Sequence, residues 1–128
     1  MSESDLVVTV DGTEMGASWV SESPETRRAL ADALPVEGQA ARWGDELYFD
    51  VPVDVDLEPN ARAEVEPGAV AYWPQGPALC LFWGATPASS GSEPRAASPV
   101  NVVARLDDPS PLSTLPSGAG ATVRVVKH

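Results

Sequence analysis

Short apolar runs separated by glycine, proline and acidic residues make up most of this chain, a pattern that predicts strands joined by tight turns. Residues 6–10 (LVVTV) form a β-branched run ended by Asp11-Gly12, a dipeptide that supplies positive φ in a hairpin turn, and residues 14–20 return as the partner strand. Ser23-Pro24-Glu25 then opens a helix: a hydroxyl to cap a free amide, proline where no donor is needed, and an acid at the positive dipole end. Ala29, Leu30, Ala33 and Leu34 recur at helical spacing until Pro35 stops the run, which predicts one amphipathic helix of about three turns.

Residues 39–43 and 46–53 are divided by Gly44-Asp45, a second hairpin signal, and Pro52 fits only an edge or a bulge because it donates nothing to a ladder. The most apolar stretch, AYWPQGPALCLFWGATP at residues 71–87, is cut by Pro74-Gln75-Gly76-Pro77 into two antiparallel strands, 69–73 and 78–83. No polar residue alternates within 78–83, so both faces of that strand must be covered and it should lie centrally in its sheet. Residues 88–99 (ASSGSEPRAASP) have the composition of a mobile loop. Residues 101–106 and 121–126 supply the last strands, flanking a turn-rich segment over 107–120 with Leu112 and Leu115 as anchors. About eight strands and one helix at this spacing predict an all-β fold, closed into a barrel because closure removes exposed edges, with the helix over one open end.

Composition narrows the partners. The 128 residues carry a net charge of -11 with Lys127 the sole lysine, a field that repels nucleic acid and anionic lipid. Such acidity resembles that of proteins from salt-loving archaea, where salt screens self-repulsion. The length predicts a single domain spanning residues 1–128. No apolar run is long enough to cross a bilayer and no basic-then-apolar start is present, so a cytoplasmic location is expected. Cys80, between Leu79 and Leu81, reads as buried filling.

Three stretches, ALPVEGQAARWGDELYFDVPV (33–53), PGAVAYWPQGPALCLFWGATP (67–87) and NVVARLDD (101–108), resemble the cyclophilin-like barrel family of small bacterial and archaeal proteins of unassigned role. The resemblance implies a closed eight-stranded cyclophilin-like β-barrel with one short helix capping an end. True cyclophilins isomerise X-Pro bonds with an arginine beside an apolar pocket, but their Phe-His-Arg and Gln-Gly-Gly signatures are absent here, so no catalytic residue carries over.

The candidate site is therefore a binding surface. Arg42 and Trp43, with Tyr48 across the Gly44-Asp45 turn, place a guanidinium beside aromatic faces. Tyr72, Gln75 and Phe82 flank the proline-rich turn, where alternation sends Val70 and Tyr72 one way and Ala71 and Trp73 the other. Asp54, Asp56 and Glu58 alternate along an extended stretch and read as a solvated acidic face. One cysteine and one C-terminal histidine cannot furnish a zinc site or a hydrolytic triad, and no metal or cofactor is expected. Few groups offer to titrate near neutrality, which favours non-covalent binding of a peptide or small metabolite over catalysis. Prolyl isomerisation through Arg42, Arg62 or Arg105, and an accessory-subunit role in an amide-hydrolysing metabolic enzyme, are the alternatives; oligomeric state is left open.

Overall fold

A computed structural model describes residues 4–115 and 120–128, so the centre of the turn-rich segment expected over 107–120 lies outside the described residues. Among the described residues, nine strands and one α-helix follow in the order β1 Leu6–Val10, β2 Thr13–Trp19, α1 Pro24–Ala33, β3 Val36–Arg42, β4 Glu46–Asp50, β5 Arg62–Glu64, β6 Ala69–Trp73, β7 Ala78–Phe82, β8 Arg95–Leu106 and β9 Ala121–Lys127. A 3₁₀ turn, Ser110–Thr114, precedes the last strand. Asp11 and Gly12 have φ of 48° and 87°, the two positive values that a tight hairpin matched to strand twist requires.

Eight of the strands form a closed ring in the order β2-β1-β9-β3-β4-β7-β6-β8, with β8 returning to β2 through Ala17↔Leu106, Ser18↔Arg105 and Trp19↔Ala104. Every pairing around it is antiparallel. Each strand of the ring sends side chains into one interior core, among them Val8, Met15, Val36, Leu47, Val70, Leu81, Val103 and Val123. The fold is thus the closed eight-stranded arrangement that the turn spacing and the family resemblance predict. Leu30 of α1 is buried in the same core with Ala29 and Ala33 packed beside it, so the predicted apolar side of the helix faces inward.

The interior is occupied by side chains, and Tyr72 is one of them; its hydroxyl donates to the Val53 carbonyl at 2.6 Å and accepts from the Val55 amide at 3.4 Å. A second apolar cluster lies on the opposite face of the β4-β7-β6-β8 segment, built from Cys80, Phe82, Ala71, Val100 and Val102 with Val65 and Ala96. β7 contributes Leu79 and Leu81 to the first cluster and Cys80 and Phe82 to the second, which is why its run carries no polar residue.

The strand that covers this outer face is β8. It starts six residues before the expected 101, because residues 95–100 pair with β5, a strand the sequence pattern does not reveal. The register against β6 slips between Val70 and Ala71, so that Val103 and Ala104 both turn inward while Val102 turns outward. Nor is the rest of 88–99 the free loop its composition suggests. Glu93 accepts the amides of Ser90 and Gly91 at 2.8 Å each, and Arg95 bridges it to Glu64.

The helix cap also departs from expectation. The Ser23 hydroxyl makes no capping bond. Instead Glu58 accepts the Glu25 and Thr26 amides at 3.2 and 2.9 Å, while its own amide donates to Asn101 Oδ1 at 2.9 Å. Asn101 Nδ2 in turn donates to Thr26 Oγ1 and the Asp56 carbonyl. Asp54 and Asp56 are solvated, but Glu58 is buried. A side-chain carboxylate supplied from a distant segment outcompetes the local hydroxyl because it is charged and reaches two free amides at once.

Burial acts to raise the Glu58 pKa, but the Thr26 hydroxyl and the Thr26 and Glu25 amides together outweigh it, and the net shift is downward. Stability from this cap is therefore fully present above the ordinary carboxylate range and is lost as pH falls through the lowered folded value. Glu58→Ala, which leaves two helix-terminal amides without their partner, should destabilise by about 1 to 3 kcal/mol in thermal or denaturant unfolding at neutral pH. The gap from wild type should close on acidification; an unchanged gap at strongly acid pH would contradict the assignment.

Candidate functional site

A cavity of about 150 Å³ opens on the outer face of the ring, lined by Trp43, Glu46, Tyr48, Trp73, Cys80, Ala96, Ala97 and Val100. Its geometry follows from two-residue alternation. Glu46 and Tyr48 point outward from β4, where their partners across the ladder are Phe82 and Cys80 of β7; Cys80 is opposite Ala71 of β6, and Trp73 is two residues further on the same side. Small residues, Ala71, Cys80 and Ala96, occupy the middle of this surface, and the large rings of Trp43, Tyr48 and Trp73 stand around it. Trp73 is held in place by its indole N–H, which donates to Ser98 Oγ at 2.7 Å on the outer arm of β8.

Trp43 is positioned by the β3–β4 turn. Its amide bonds to the Glu46 carbonyl at 2.9 Å, and Asp45 exchanges backbone hydrogen bonds with Ala85 and Trp83. Gly44 has φ of 61°, and a Cβ there would lie 2.8 Å from Thr86 Cα and 2.9 Å from the Ala85 carbonyl, so the turn demands glycine both for its conformation and for the close approach. Arg42 braces the same turn from behind: Nε donates to the Gly44 carbonyl at 2.8 Å, one terminal nitrogen to the Leu115 carbonyl, the other to Asp45 Oδ1 at 3.1 Å, and its guanidinium lies 5.0 Å from the Trp83 ring centre.

Of the six residues singled out in the sequence, Trp43 and Tyr48 line the cavity. Arg42 lies behind the turn, Tyr72 within the ring, Phe82 fully buried in the outer cluster, and Gln75 exposed at the tip of the β6–β7 turn. Glu46, Trp73, Cys80, Ala96, Ala97 and Val100 complete the lining without having been singled out. Trp73 was within reach of alternation alone, which puts it on the side opposite Tyr72. Glu46 was not, since an acid beginning a strand in so acidic a chain reads as solvent-facing.

Electrostatically, Glu46 dominates this site. It is 5% exposed, and burial pushes its pKa up from 4.5 to about 7, opposed only in part by a hydrogen bond from the Cys80 thiol. The thiol itself is driven well above its usual range, first by burial and then by the neighbouring Glu46 charge and hydrogen bond, so Cys80 stays protonated and unreactive. Glu46 corrects the expectation that few groups titrate near neutrality.

A carboxyl whose folded pKa is raised contributes stability that is complete below the ordinary value of 4.5 and is lost as pH rises to about 7. Glu46→Gln should accordingly be more stable than wild type by about 3 kcal/mol at mildly alkaline pH, and by close to nothing in the acid limit. Paired thermal melts at the two pH values measure it; equal melting temperatures at alkaline pH would show that the carboxylate is well solvated.

The chain matches the family model described as cyclophilin-like over residues 5–125. Among solved structures it is similar to the solution structure of the hypothetical protein AF2241 from Archaeoglobus fulgidus, with 40% identity, a TM-score of 0.78, and coverage of 98% of this chain and 95% of that one. It also shares its fold with McbB, solved in complex with tryptophan, at 14% identity and a TM-score of 0.67, covering 94% of this chain and 44% of McbB. Comparison with curated proteins gave no match. Among the described residues no helix is long and apolar enough to cross a membrane. With the ring, its outer strand and the family match in agreement over nearly the whole chain, the protein belongs to the cyclophilin-like family.

Proposed function

We propose that the protein is a binding module of the cytoplasm, where its lone thiol stays reduced, and that it takes one small group of a metabolite or peptide into the outer cavity without transforming it. The observation that carries this reading is the cavity itself, with three aromatic walls, a floor of small residues and one carboxyl. A volume of about 150 Å³ suits a guest the size of benzene or a single side chain, well below the space a nucleotide or drug-sized molecule fills. The filled interior of the ring leaves the outer face to do the binding.

The isomerase alternative is less well supported. Prolyl isomerisation needs a donor beside the apolar pocket, yet Arg42 is bonded behind the turn, Arg62 is paired with Glu22 and Glu66, and Arg105 belongs to a separate surface near Pro67 and Pro109. Glu46 offers a proton near neutrality and so favours general acid–base chemistry as a second reading. Against it, Cys80, the group hydrogen-bonded to that carboxyl, is held as a neutral thiol and supplies no nucleophile.

Occlusion tests the binding reading. Ala97 lines the cavity yet is exposed, so Ala97→Trp should fill the opening with a stability change within about 0.5 kcal/mol. Small aromatic and amide fragments should shift the indole N–H resonances of Trp43 and Trp73 in wild type, leave Trp19 unmoved, and lose their effect in the occluded variant. A fragment at 100 times its dissociation constant should stabilise wild type by about 2.7 kcal/mol. Acceleration of a proline-peptide assay that survives Ala97→Trp, with no fragment binding, would point elsewhere on the molecule.

A further inference from the structure

Resting on the binding reading above, we infer that the cavity selects an organic cation, an alkylammonium or methylated amine head group, with Trp43, Tyr48 and Trp73 as its walls and Glu46 as its counter-charge. Three observations converge on it. The four tryptophans divide into two pairs. Trp19 carries the Arg27 guanidinium 5.2 Å from its ring centre and Trp83 carries that of Arg42 at 5.0 Å, whereas Trp43 and Trp73 at the cavity have no such internal cation among the described residues. Aromatic faces attract cations through the ring quadrupole, more strongly when water is excluded.

The second observation is Glu46. Five of the seven arginines form ion pairs with carboxylates elsewhere, among them Arg42, Arg62, Arg95 and Arg124, or stack on a ring as Arg27 does, but none pairs with Glu46 among the described residues. A carboxylate taken out of water without a counter-charge is costly, and a guest cation offsets that cost. The third is the surrounding field: a net charge of -11 raises the local concentration of cations and repels anions. A metal ion is a poor fit, because the walls are ring carbons and methyl groups and Glu46 is the lone oxygen-rich side chain in the lining apart from the Tyr48 hydroxyl.

The groups facing Glu46 bear on its titration. Cys80 on β7 and Tyr48 on β4 are the other titratable side chains of the cavity; Trp73 on β6 and Ala96, Ala97 and Val100 on β8 are uncharged, and the nearby Arg42 and Asp45 are paired with each other. Cation binding should therefore follow the ionisation of Glu46.

The test compares choline chloride with its neutral isostere 3,3-dimethyl-1-butanol by calorimetry and by the Trp43 and Trp73 indole resonances, in about 1 M potassium chloride so that the long-range field is screened to ~3 Å. At about pH 8.5 choline should bind at least about tenfold more tightly than the alcohol, and its affinity should fall about thirtyfold by about pH 5.5 as Glu46 takes up its proton. Glu46→Gln should bring the two ligands within about threefold of one another while keeping the affinity for the alcohol, which also reports that the variant is folded. Equal binding of both ligands without pH dependence, or unaltered choline binding by Glu46→Gln, would overturn the cation inference and leave the binding reading standing. Binding of other fragments but of neither member of this pair would overturn it too. If no fragment at all shifts Trp43 or Trp73, the binding reading itself fails.

Discussion

Closure of the ring at the β2–β8 seam is the constraint on which the remaining architecture depends. Three residue pairs, Ala17↔Leu106, Ser18↔Arg105 and Trp19↔Ala104, join the strands that would otherwise be the two free edges. Once they are joined, the inward side chains have to fill a fixed interior, and in this chain valine, leucine, Phe49 and Tyr72 fill it. On the proposed reading, recognition is thereby displaced to the outside wall. There, among the described residues, a hollow opens between the rings of Trp43, Tyr48 and Trp73.

That hollow depends on one strand doing two jobs. From Asn101 onward β8 belongs to the ring, its register slipping opposite Val70 and Ala71; before Asn101 the same strand pairs with β5 and forms a wall over the outer cluster. The bulge makes this possible by turning Val103 and Ala104 both inward and freeing the preceding residues to lean over β6 and β7. Ser98 on that arm fixes Trp73, and Arg95 ties the arm to Glu64 and Glu93. The exposed ion pairs contribute little individually, so apolar contact of Ala96 and Val100 with Cys80 and Phe82 is the larger part of what holds the wall down.

Most of the fold was legible in the sequence because local chemistry and global architecture agree there. Asp11-Gly12, Gly44-Asp45 and the Pro74–Pro77 segment sit at turns, and the unbroken apolar run of 78–82 is the strand buried on both faces. What was illegible is long-range. The three-residue strand Arg62–Glu64 has no apolar pattern and exists only because 95–100 runs beside it. Glu58 looks like one more surface acid until α1 is placed over it. The cavity was half legible for the same reason. Trp43 and Tyr48 announce themselves as large rings at a hairpin, but Glu46 acquires its character from burial among residues such as Cys80 and the arm of β8, which arrive from 34 and more residues away along the chain.

The wall of this hollow has a kinetic consequence. Because it is formed on the outside of a filled ring with an exposed alanine at its mouth, a guest of the kind proposed would enter and leave without any strand parting. Exchange across such an open doorway would be fast, with residence set by the strength of the contacts. Occupancy would then follow the surrounding concentration moment by moment, the behaviour of a gauge and not of a storage vessel.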